Sequence, residues 1–185
     1  MPVVSPPEPD PDWLLLVYRV PPEPTRLRAA VWRRLKSLGA IYLQNSAAAL
    51  PAGAEAERAM RKLRDEILEM SGTAVLMSCS VMAGEQQIMS AFQAARNDEY
   101  EEIVDKCDDF QAQLRKEYQA EHFTYAELEE NEVDLVKLRN WIAKVVARDV
   151  FGASGRAAAN EAIAGCERAL DEYAARVYAE EAESR

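Results

Sequence analysis

The sequence predicts an α+β protein, with an N-terminal ferredoxin-like split βαβ unit (a four-stranded antiparallel sheet) followed by a C-terminal antiparallel helical bundle. Three observations carry this expectation. Apolar runs rich in strand formers alternate with helix-period segments between Trp13 and Met82. Beyond Met82 the apolar spacing is helical throughout. The charge balance changes at the same place: residues 1–83 carry 10 Lys+Arg against 9 Asp+Glu, and residues 84–185 carry 12 against 23.

Residues 1–12 contain five prolines and are expected to form an extended, disordered tail. Trp13–Val20 (WLLLVYRV) is a continuous apolar run stopped by Pro21-Pro22, which predicts a buried strand. A helix is expected from Pro24-Thr25, with Leu27, Val31, Leu35 and Leu38 inward and Gly39 as a left-handed cap. IYLQ (41–44), a turn at Asn45-Ser46 and AAAL (47–50) read as a short hairpin, although alanine is a weak strand former. Ala54–Met70 is a second helix with Ala56, Met60, Leu63 and Ile67 inward, and Thr73–Met82 is the last strand. The order β-α-β-β-α-β is the split βαβ pattern. Such a unit covers one sheet face with its helices and leaves the other to a partner subunit or to the rest of the chain.

The remainder, 84–185, reads as a helical domain following the ferredoxin-like domain at 13–83. A short helix is expected over Gln86–Ala95. A new one then starts at Asn97-Asp98, where Asp98 and Glu101 have capping-box spacing, and carries Tyr100, Ile103, Cys107, Phe110, Leu114 and Tyr118. Thr124-Tyr125-Ala126-Glu127 is a second capping box, followed by Leu128, Leu135, Leu138, Ile142 and Val145. After Gly152, a last helix from Arg156 to about Glu181 carries Ile163, Cys166, Leu170, Ala174 and Val177.

Composition narrows the function classes. No apolar run reaches the roughly 18–20 residues of a membrane span, so no membrane association is expected and the predicted location is the cytoplasm. Three cysteines without CxxC spacing and a single histidine, His122, do not suit a disulfide scaffold, a zinc site or a histidine-based triad. No metal, no cofactor and no enzymatic activity are expected.

The runs WLLLVYRVPPEPTRLRAAVWRRLKSLGAIYLQNSAAALP, RNDEYEEIVDKCDDFQAQLRKEY and FTYAELEENEVDLVKLRNWIAKVVARDVFGA occur in that order. Together they resemble the N-terminal domain of the chromate resistance protein ChrB family, over roughly residues 13–180. The resemblance implies a chromate-responsive regulator encoded near a chromate efflux transporter, with chromate as an oxyanion effector; longer members carry a further C-terminal domain. The layout of the first domain is also similar to the ferredoxin-like part of the phenylacetate-degradation repressor and of CRISPR-associated nucleases. A nuclease reading rests on that fold analogy alone. Asp10 and Asp12 precede the first strand rather than ending it, so they do not match the carboxylate such nucleases use.

Residues 19–64 hold 10 basic and 3 acidic residues. On the first helix Arg26, Arg33 and Lys36 fall away from the apolar stripe, with Arg28 and Trp32 flanking it; on the second, Arg58 and Arg61 lie opposite Leu63. With both helices on one sheet face, these six cations are expected to form one patch suited to DNA phosphates. A solvated helix surface, partly neutralised by Glu55 and Glu57, is the competing reading. No base-reading module is recognisable. The acidic series Asp98, Glu101, Glu102, Asp105, Asp108 and Asp109 reads as a solvated or partner-binding face, since the Glu-x-x-His pairs of a carboxylate-bridged metal bundle are missing. Asn131 and Glu132 interrupt an apolar repeat, which reads as a wet helix edge; the competing reading is that they fix register or meet another subunit. Cys107, in the apolar stripe beside Asp105, Asp108 and Asp109, reads as a structural thiol. The function expected is a cytoplasmic, DNA-associated regulator. The alternative is a non-catalytic oligomerisation or interaction module without DNA binding. A homodimer is expected, because apolar helices and an uncovered sheet face call for a partner.

Overall fold

A computed structural model describes residues 13–183, so the Pro-rich segment 1–12 lies outside the described residues. The elements are β1 (Trp13–Arg19), α1 (Thr25–Leu38), β2 (Ile41–Gln44), β3 (Ala47–Pro51), α2 (Ala54–Glu69), β4 (Thr73–Cys79), α3 (Glu85–Gln119), α4 (Tyr125–Arg148) and α5 (Arg156–Glu183). They divide into two compact units, one up to Phe92 and one from Gln93.

The first unit is the expected split βαβ arrangement. Its sheet has the order β2-β3-β1-β4, every pair antiparallel. β1 occupies a central position, as its unbroken apolar run requires. Leu16 lies between Ala48 and Leu76 and is fully buried. The same sheet face carries Leu14, Ala48 and Leu50, all buried, and α1 and α2 bury Val31, Leu35, Met60, Leu63 and Ile67. Each fully buried aliphatic side chain is worth about 1.5–3 kcal/mol. The alanine-rich half of the hairpin is a strand because it lies between β1 and β2, where tertiary pairing overrides weak propensity. On the alternate face Trp13 is covered edge-on by Phe92, at 6.2 Å between ring centroids. The cross-strand partners Val17 and Val75 stay exposed, as does Met77.

Glycine ends α1 as expected. Gly39 has φ 78, and Gly39 and Ala40 donate their N–H groups to Lys36 and Leu35 carbonyls. Gly72 permits a close approach, since a Cβ there would meet the Arg19 carbonyl oxygen at 2.5 Å. β4 ends at Cys79, three residues earlier than the apolar run suggests.

The break expected near Ala95–Asn97 is absent, and α3 is one helix of 35 residues. No glycine or proline lies between Glu85 and Gln119, so nothing local stops it. Asn97 caps a different helix: its Oδ1 accepts the Gly155 N–H (2.8 Å), one residue before α5 begins. Thr124 does cap α4, with its hydroxyl accepting the Glu127 N–H at 3.3 Å. The apolar stripes of α3, α4 and α5 form one core.

Candidate nucleic-acid interface

α1 carries Arg26, Arg28, Arg33, Arg34 and Lys36 and no carboxylate. With Val31 and Leu35 turned to the core, Arg26, Arg28, Arg33 and Lys36 are all exposed. Among the described residues none of these four has a carboxylate within ion-pair distance. Trp32 stands 50 % exposed on the same helix, with the Lys36 ammonium 5.4 Å from its ring centre. Arg28, Trp32 and Lys36 follow i, i+4, i+8 spacing and share a helix face. The half-buried Arg34 has a desolvated Nε without a hydrogen-bond partner among the described residues. In the sequence Trp32 lies only at the edge of the apolar stripe, and nothing there sets Arg34 apart. A large aromatic inside a run of cations is the signal that could have singled out Trp32.

α2 adjoins α1 but differs electrostatically. Arg58 and Arg61 are exposed as expected. Arg61, however, is held by Glu57, its Nε and Nη2 donating to one carboxylate oxygen at 2.9 and 2.6 Å. Arg64 is paired with Asp65 at 2.8 Å. Over its length α2 has Arg58, Arg61, Lys62 and Arg64 against Glu55, Glu57, Asp65, Glu66 and Glu69. The positive surface is therefore concentrated on α1. α2 contributes Arg58, with Arg61 partly neutralised.

One cluster in the second unit treats arginine oppositely. Arg96 and Glu99, one turn apart on α3, are buried and lie 2.8 Å apart, and Arg148 at the end of α4 donates to the same carboxylate. Burial lowers the Arg96 pKa, with Glu99 opposing that shift. Beside this cluster the buried Asp149 accepts the Tyr100 hydroxyl at 3.0 Å and the Ala153 N–H at 2.9 and 3.1 Å. Burial first, and then the bond to Asp149, push the Tyr100 phenol up to about 12. The sequence shows Tyr100 only as a member of the apolar stripe and carries no signal for the others, because their pairing joins α3 to the α4–α5 connection, about 50 positions away. The arrangement ties α3 to the end of α4 and commits its charges to one another.

The remaining candidates are quiet chemically. Asp98, Glu101, Glu102, Asp105, Asp108 and Asp109 are exposed along α3, and hydrogen bonding from Lys106 lowers the Asp109 pKa. Asn131 is buried, its amide donating to the Glu127 carbonyl at 2.7 Å, while Glu132 is exposed. Cys107 is buried and its thiol is pushed up to about 12, mainly by desolvation. Cys166 is also buried and donates to the Cys107 carbonyl, while Cys79 is half-buried. The exposed His122 imidazole lies 3.5 Å from Glu117, and Tyr173 donates to the His122 carbonyl. A groove of about 380 Å³ between α3 and α4 is flanked by the Lys106–Asp109 and Lys137–Asp134 pairs, so its cations are already matched. Among the described residues no group of three or more His, Cys, Asp or Glu is placed to hold a metal ion. No helix there is long and apolar enough to cross a membrane.

No curated protein matches the chain. A family model described as "Protein ChrB, N-terminal" matches residues 28–184, from the first turn of α1 to just beyond the end of α5. The match spans well over half of the chain and runs through both units, so the protein belongs to the ChrB N-terminal family.

Proposed function

We propose that this chain is a regulatory protein of chromate resistance that associates with DNA through the exposed basic face of α1. Family membership supports the chromate-resistance context. The observation that carries the DNA reading is α1 itself: exposed cations, no carboxylate on the helix and an exposed tryptophan among them. Arginine forks match phosphate oxygens, lysine adds point charge, and an indole can stack on a base or sugar. The acidic second unit opposes binding, so affinity must come from this face.

The test is a salt titration of binding to a labelled duplex from the protein's own upstream DNA. Wild type should bind at low salt, with log K falling linearly against log salt. Changing Arg26, Arg28, Arg33 and Lys36 together to Ala should weaken binding and reduce the slope by about one for each phosphate no longer neutralised. Folding should hold, because exposed charges contribute at most about 1 kcal/mol each. Absence of binding at low salt refutes the DNA reading and favours an interaction module. Unchanged binding by the quadruple variant moves the interface elsewhere.

A further inference from the structure

α4 has two faces, and among the described residues only one is packed into the core. Leu128, Asn131, Leu135, Leu138, Ile142 and Val145 are buried. On the opposite side Ala126, Glu129, Val133, Val136, Asn140 and Ala143 recur at alternating spacings of three and four. All six are exposed, and Val133 and Val136 are 50 % and 53 % accessible. Alternating three–four spacing is the seam of a two-stranded coiled coil, and exposed valines at its centre are unusual on a solvated helix.

We propose that α4 pairs antiparallel with α4 of a second copy of this chain, about a two-fold axis between Val133 and Val136. Flanking charge selects both the occupant and the direction. The seam is bordered on one side by Glu130 and Lys137 and on the other by Glu132 and Arg139, all exposed. In an antiparallel pair each border faces its own copy. With Val133 against Val136 of the second copy, Glu130 meets Lys137 and Glu132 meets Arg139, and the two-fold makes four attractive pairs. The same register sets Glu129 against Asn140, whose amide can donate to the carboxylate, and Ala126 against Ala143. A parallel pair would bring Glu132 to Lys137 but also Arg139 to Lys144, so attraction and repulsion cancel. Lys137 and Arg139 already have the carboxylates of Asp134 (2.8 Å) and Glu167 (3.3 Å) nearby. These side chains remain exposed, so a second carboxylate can approach each. The exposed Val17, Val75 and Met77 on the sheet are the rival surface, and they have no such matching of charge.

The experiment is the mass in solution by light scattering at tens of micromolar and low salt, without DNA. Its failure leaves the DNA reading untouched, since α1 belongs to the other unit. Wild type should show twice the 20.7 kDa chain mass. V133D/V136D should fall to a single chain with unchanged helix content by circular dichroism. E130K/E132K places four cations along the borders, K137E/R139E places four carboxylates, and each alone should be monomeric. Mixing the two should restore the doubled mass, which a merely unfolded variant cannot do. A monomeric wild type overturns the proposal. So does a V133D/V136D protein that stays dimeric, which would point to the sheet face, or a mixture that stays monomeric.

Discussion

Two sets of arginines, one in each unit, meet opposite fates. On α1, Arg26, Arg28 and Arg33 stand in solvent with no carboxylate on their own helix. At the junction of α3 and α4, Arg96 and Arg148 converge on one buried carboxylate, Glu99. The residue type is the same, but desolvation changes what it can do. A buried guanidinium committed to a carboxylate holds helices together, whereas an exposed, unmatched one is available to an external anion. α2 lies between these cases, with Arg61 exposed yet already held by Glu57.

The contrast can be broken at several points. The largest expected effect is at Glu99: Glu99→Gln removes the carboxylate that Arg96 and Arg148 share, and removing one partner of a buried ion pair costs about 3–5 kcal/mol. Urea denaturation should read that loss. A cost below about 1 kcal/mol would mean that the pair is effectively solvated.

Asp149→Ala should come next. It removes the acceptor of the Tyr100 hydroxyl and of the Ala153 N–H, and unsatisfied buried donors cost about 1–3 kcal/mol each. Both effects sit in the second unit. Any equal loss from R26A/R33A on α1 would erase the contrast between the units.

Alkaline pH sharpens it further. The Tyr100 pKa is raised in the folded state, from 10.0 to about 12. Below pH 10 the phenol is neutral in both folded and unfolded chains, so its contribution is fully present. Above pH 10 the unfolded chain ionises first, and this stability is lost as pH rises through the folded pKa. Tyr100→Phe should therefore reduce the slope of stability against pH between about 10 and 12, measured by denaturation at fixed temperature. An unchanged slope would place Tyr100 in a more solvated setting.

The smallest effect separates α1 from α2. Arg33→Ala should reduce DNA affinity more than Arg61→Ala, because Arg61 must first leave Glu57. Neither should change stability by more than about 0.5 kcal/mol. Equal losses of affinity would restore α2 as a full half of the interface.

What the sequence determined by itself is what depends on short-range order. The apolar run of β1, the glycine stop at Gly39, the capping box at Thr124 and the helix-period stripes all act within a few residues, so they are legible from the chain alone. The exposed cations of α1 were legible for the same reason, because one helix fixes which side faces the core. Tertiary structure decided the rest. Asn97 has an N-cap's composition, but its neighbours continue a helix and its oxygen serves α5, 58 positions away. The Arg96–Glu99–Arg148 cluster and the Tyr100–Asp149 bond exist only once α3 meets the end of α4. Arg61 looked like Arg33 in the sequence, yet its own helix had already matched its charge. Whether a charged side chain is free, paired or buried depends on what surrounds it, and those neighbours are settled only when distant segments pack.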